Sequence, residues 1–175
     1  MTTYSIAAFF HLIFLLLASS AMSLNTFAAV RLRAAHQADE AARWIALVAG
    51  VSRVFPVAVA GLLASGAWMA QERWGWSIPW IDAALVGLAL LVVLGAGVEA
   101  SRLRALRREL QISGMVPRVQ RLLRDPVAWT ARTTGITLLI AVVFVMTVKP
   151  AAVASACSIA LAFAVGVIAA IPMWI

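Results

Sequence analysis

Cysteine is nearly absent: Cys157 is the only one in 175 residues. No intramolecular disulfide can form, and its apolar surroundings make it a small packing residue. Charge is scarce as well, at 12% of the chain, against about a quarter in soluble domains. With 64% of residues hydrophobic, the apolar excess is more than one core can hide, so lipid must be the solvent for much of the surface. The chain also lacks a C-x-x-C pair, histidines paired at helical spacing, a glycine-rich phosphate loop and a nucleophile beside a base. Hydrolytic and nucleotide-driven chemistry therefore have no foothold. No internal repeat or low-complexity stretch appears. A cleavable signal is not expected either, because the first ten residues carry no Lys or Arg and the first apolar run is long enough to span.

What is there is a series of long apolar runs. A helix crosses the hydrocarbon in about 20 residues at about 1.5 Å each, and five segments qualify: 6–30, 54–70, 81–100, 134–148 and 151–175. Only Lys149 and Pro150 separate the last two, but together these exceed one span, and proline cannot continue the preceding ladder. The fold class is an all-α polytopic transmembrane bundle of five spans, four plus an extra C-terminal helix, in a single membrane domain of residues 1–175. A basic segment, 101–133, joins the third and fourth spans.

Charge sets the expected orientation. Twelve of the 14 basic residues follow the first and third spans or begin the second, and only Arg73 and Lys149 lie on the other side. The N-terminus should be outside and the C-terminus cytoplasmic. Trp68, Trp74, Trp76 and Trp80 crowd the short outer loop, while Trp44, Trp129 and Trp174 mark the inner interface. The net charge of +7 would suggest nucleic acid in a soluble protein, but the position of the arginines argues against that partner and for anionic headgroups. Leu103, Leu106 and Leu110 recur at helical spacing, extending the third helix beyond the bilayer; after Gly114 and Pro117 a short second helix is expected on the headgroups. Arg102, Arg104, Arg107, Arg108, Arg118, Arg121 and Arg124 are the candidate contacts to lipid or to a docked partner.

Small residues recur every four positions at Ser158, Ala162, Gly166 and Ala170, and at Gly61 and Ser65. That spacing lets helix backbones approach, within the bundle or in a homo-oligomer through the fifth helix. Four ionisable residues lie at or near membrane depth. Arg53 precedes Pro56, which suits the first turn of a new helix and leaves the guanidinium to snorkel. Asp82 suits the N-terminal end of the third helix. Glu99 is expected in water at the cytoplasmic end. His11, about two turns into the first helix, is either hydrogen-bonded to a neighbouring helix or a ligand. His36 cannot join it, being about 37 Å further along if the helix continues. Met69 and Met146 come closer in depth, and His with Met can hold haem or Cu(I).

The order of motifs carries a resemblance: His11, then RLRAA, RVFPVAVAGLLASGAWMA, WIDAALVGLALLV and FVMTVKP. Over residues 8–150 this resembles an uncharacterised family of bacterial integral membrane proteins, the copper-resistance D family and the HemJ-type protoporphyrinogen oxidases. The resemblance implies the bacterial cytoplasmic (inner) membrane, and His11 would match a first-helix histidine expected to bind haem b. The third-helix lysine of the oxidases is missing, its stretch reading WIDAAL with Asp82 or Ala83. Of the asparagine–glutamate–proline motif, RDPVAW keeps only Pro126. Three readings follow: a non-enzymatic bundle or subunit of a larger membrane complex with His11 structural, a haem- or porphyrin-binding redox protein using His11, and a copper-handling protein using His11, Met69 and Met146.

Overall fold

The computed structural model describes residues 3–174; Ile175, the last residue of the expected fifth span, lies outside them. The fold is all-helical, with no strand among the described residues. Five helical stretches are long and apolar enough to cross a membrane: Thr3–Arg33, Ala38–Trp74, Pro79–Ser113, Pro117–Val148 and Ala152–Met173. In hydrocarbon every backbone group must be paired within the segment, which is why such runs are helical. Large side chains point outward: Leu16, Ile140, Val153 and Leu161 each leave more than 60% of their surface uncovered by protein. Of the 22 buried hydrophobic residues, 11 are alanine. That is the inverse of a water-driven core and the pattern of helices that associate by close backbone approach within lipid. The chain is a multi-pass α-helical membrane protein.

It divides into two compact units. The first comprises residues 3–35 and 39–78. Helix α1 (Thr3–Arg33) packs on α3 (Val54–Met69), which follows α2 (Ala38–Ser52) after a break at the exposed Arg53. Pro56 lies in the first turn of α3, where its missing N–H leaves no ladder bond unmade. A π-helical turn, Ala70–Trp74, then ends at Gly75, whose φ of 77° suits glycine. The packing is antiparallel. As position rises along α1 through Tyr4, His11, Phe14 and Asn25, the partners fall through Arg73, Ser65, Gly61 and Ser52. The inward α1 positions, Tyr4, Ala7, His11, Phe14, Ala18, Ala21, Asn25, Ala28 and Leu32, alternate spacings of three and four. That is a heptad seam, the geometry of left-handed helix packing.

The second unit holds residues 36–38 and 79–174. Here α4 (Pro79–Val92), α7 (Pro126–Val148) and α8 (Ala152–Ala170) pack on one another. Gly87 of α4 is a hollow that receives Val142 of α7 and Ile159 of α8. Helix α4 continues through a π segment, Val93–Glu99, into α5 (Ala100–Ser113). Gly114, at φ 65°, ends α5, and α6 (Pro117–Leu123) begins with proline at its first position. Asp125 caps α7 by accepting from the Val127 N–H at 3.0 Å. The chain reverses at Lys149 and Pro150. Lys149 takes the left-handed conformation that closes α7, its ammonium lying 5.6 Å from the centre of the Trp80 ring. The Ser155 hydroxyl then donates to the Pro150 carbonyl at 2.9 Å, fixing the start of α8.

The small-residue stripe of α8 is occupied within the chain. Gly166 and Ala170 are buried, and Gly166 lies on the Thr134 backbone of α7. The Thr133 and Thr137 hydroxyls donate to the Gly166 and Ala162 carbonyls at 2.8 and 2.7 Å. Gly166 and Ala162 of the stripe thus serve an internal contact with α7. Helix α6 folds back along α5. Arg102 pairs with Asp125 at 3.3 Å and Glu109 with Arg118 at 3.4 Å, so seven residues forward on α5 is seven residues back toward α6.

Candidate functional site

His11 sits half-buried where α1 meets α3, its Nδ1 2.9 Å from the Ser65 Oγ. The Ser65 hydroxyl also donates to the Gly61 carbonyl at 2.6 Å, so it links the imidazole to the α3 backbone. The ring lies over Gly66, where an added Cβ would come within 3.3 Å of the histidine Cε1. One turn along, Phe14 covers Gly61. Gly61, Ser65 and Gly66 thus form a notch on α3 cut to receive one aromatic and one imidazole.

Met69 ends α3 one turn beyond Ser65 and is half-buried, but the hydrogen bond of His11 goes to Ser65 and not to its sulfur. Met146 is half-buried on α7, in the second unit. Among the described residues no group of three His, Cys, Asp or Glu side chains is placed to hold a metal ion.

The basic segment sorts its arginines by partner. Arg102 and Arg118 are engaged in the two bridges between α5 and the start of α7 or α6. Arg104, Arg107, Arg108, Arg121 and Arg124 are exposed, and among the described residues no carboxylate pairs with them. Glu99 corrects an expectation. Its side chain is only 18% exposed and accepts from Arg132 of α7 at 2.9 Å, while the guanidinium lies 5.9 Å from the centre of the Trp129 ring. A carboxylate read as free in water is half of a largely enclosed ion pair.

Sequence reasoning missed Ser65 as the partner of His11, and Glu99 with Arg132. The signal for the first was the heptad spacing of His11, Phe14, Ala18 and Ala21 against Gly61 and Ser65, four apart. Comparison with models of known families, with characterised proteins and with solved structures returns no match for this chain.

Proposed function

We propose that this chain is a non-enzymatic bundle or accessory subunit of a bacterial cytoplasmic-membrane complex, with its N-terminus outside and its basic hairpin in the cytoplasm. The observation that carries this reading is the bond between His11 Nδ1 and Ser65 Oγ. The intramembrane ionisable residue expected to mark chemistry has a partner and a fitted notch. A polar residue in a heptad seam fixes the register of the pair it joins. The twelve-to-two division of basic residues supports the orientation. A second copy or a different subunit would meet the chain on its uncovered apolar faces.

The same bond favours one alternative. A ligand histidine usually has its other ring nitrogen held by an orienting partner, and here Ser65 lies 2.9 Å from Nδ1. Haem b on His11 is that alternative. Copper bound by His11, Met69 and Met146 has no comparable support.

An absorption spectrum of the purified chain, oxidised and dithionite-reduced, with metal analysis of the same sample, separates these readings. The expected result is a colourless preparation whose His11→Ala and Ser65→Ala variants are each destabilised by about 1 kcal/mol. Interhelical bonds in membranes average about 0.6 kcal/mol and reach about 1.7. A stoichiometric Soret band lost in His11→Ala would replace the structural reading with the haem one. For the orientation, a reporter fused to the C-terminus should be active only in the cytoplasm; a periplasmic signal would invert the topology.

A further inference from the structure

The seven arginines of the α5–α6 hairpin do not form one surface. Arg102 and Arg118 hold the hairpin together through Asp125 and Glu109. On α5, Leu106 and Leu110 are buried, and Arg104, Arg107 and Arg108 are exposed, the latter two lying three and four residues after Arg104, about one helical turn on. Helix α5 leaves the apolar run at Ala100, so Arg104 stands about 6 Å beyond it along the axis and Arg107 and Arg108 about 10–12 Å. Helical side chains tilt toward the N-terminus of their helix. On α5 that direction is back toward the apolar α4. Arg104 follows it: its Nε donates to the Ala100 carbonyl, one turn nearer the membrane, at 3.1 Å. Helix α6 runs the other way, so Arg121 tilts away from the apolar run. The exposed α5 face offers no broad apolar surface that would insert; its character is cationic.

We propose that Arg104, Arg107 and Arg108 form a binding face for the phosphodiester of anionic lipid headgroups, while Arg121 stands outside it. The inference rests on the membrane orientation proposed above. Three guanidiniums on one helical face, leaning toward the interface from within about one Debye length of it, match a leaflet whose negative potential decays over that distance. Guanidinium also pairs with phosphate oxygens in a bidentate way.

The test titrates the purified full chain in neutral detergent with dioleoylphosphatidylglycerol or dioleoylphosphatidylcholine and follows the unfolding temperature. The anionic lipid should stabilise the protein and the zwitterionic one should not. Arg104→Gln/Arg107→Gln/Arg108→Gln should weaken the apparent affinity for phosphatidylglycerol roughly tenfold or more, since each arginine near an anionic surface contributes about fivefold. The corresponding triple lysine variant should keep most of the response, and Arg121→Gln nearly all of it. Arg102→Gln/Arg118→Gln should lower the lipid-free unfolding temperature without abolishing the lipid preference. Equal stabilisation by both lipids overturns the proposal and leaves the face to an acidic protein segment. Wild-type affinity in the triple glutamine variant overturns it as well. Failure of the membrane reading itself would show separately, as release of the chain from membranes washed with alkaline carbonate.

Discussion

Replacing Gly166 with alanine is expected to force α7 and α8 apart and to destabilise the protein by about 2–3 kcal/mol, the range found when a close-packed interior is overfilled. A single methyl suffices because of what it would meet. Its Cβ would run into the Thr134 Cα, approach the Thr134 backbone nitrogen at 2.9 Å and the Thr137 Oγ1 at 2.6 Å. Backbone atoms cannot swing aside as the end of a long side chain can. Separation of the helices also stretches the bonds from Thr133 and Thr137 to the Gly166 and Ala162 carbonyls, which are the shortest each hydroxyl makes. Denaturation of the detergent-solubilised chain in increasing SDS would measure the loss. Gly95→Ala is the control, since a Cβ at Gly95 meets nothing within 4 Å and alanine is the better helix former by about 1 kcal/mol. It should be neutral or slightly stabilising. Equal midpoints for wild type and Gly166→Ala would mean that α7 and α8 do not make this contact.

The five long apolar helices were legible because run length against bilayer thickness is a coarse and strong signal, and Lys149–Pro150 is enough to divide two spans that would otherwise read as one. The small residues of α8 were equally visible, yet their use was not. A stripe of Ser158, Ala162, Gly166 and Ala170 does not say by itself which helix it meets, and the threonines that meet Gly166 and Ala162 lie 33 and 25 residues away in the chain. Partners far apart in the chain were not legible: His11 and Ser65 lie 54 residues apart, and Glu99 and Arg132 lie 33 apart. Seven arginines in sequence read as one basic surface because composition does not say which of them Glu109 and Asp125 engage. The π segments at Ala70–Trp74 and Val93–Glu99 have no sequence signature comparable to a cap or a heptad. They arise where packing shifts the helical face by one residue, and such insertions are tolerated when the gain in contact exceeds the poorer winding.

The second of these π segments ends on Glu99, and it gives the enclosed ion pair its largest testable consequence. Glu99→Gln should cost more stability than His11→Ala or Ser65→Ala, about 2–3 kcal/mol. Removing one member of a fully buried pair costs about 3–5 kcal/mol because the other charge is left desolvated; with the Glu99 and Arg132 side chains 18% and 11% exposed, some screening reduces it. Arg132→Gln should cost a similar amount and also remove the contact with the Trp129 ring. Glu99→Leu/Arg132→Leu, however, should recover much of the loss, since two apolar side chains at this depth replace two desolvated charges. If the pair were a solvated surface bridge, each single variant would instead fall within the roughly 1 kcal/mol typical of exposed pairs, and the double variant would gain nothing. A double-mutant cycle read by unfolding in SDS distinguishes these outcomes. Recovery in the double variant would show that α7 holds Glu99 for electrostatic reasons, with the i→i+5 winding before it setting the face on which the carboxylate meets Arg132.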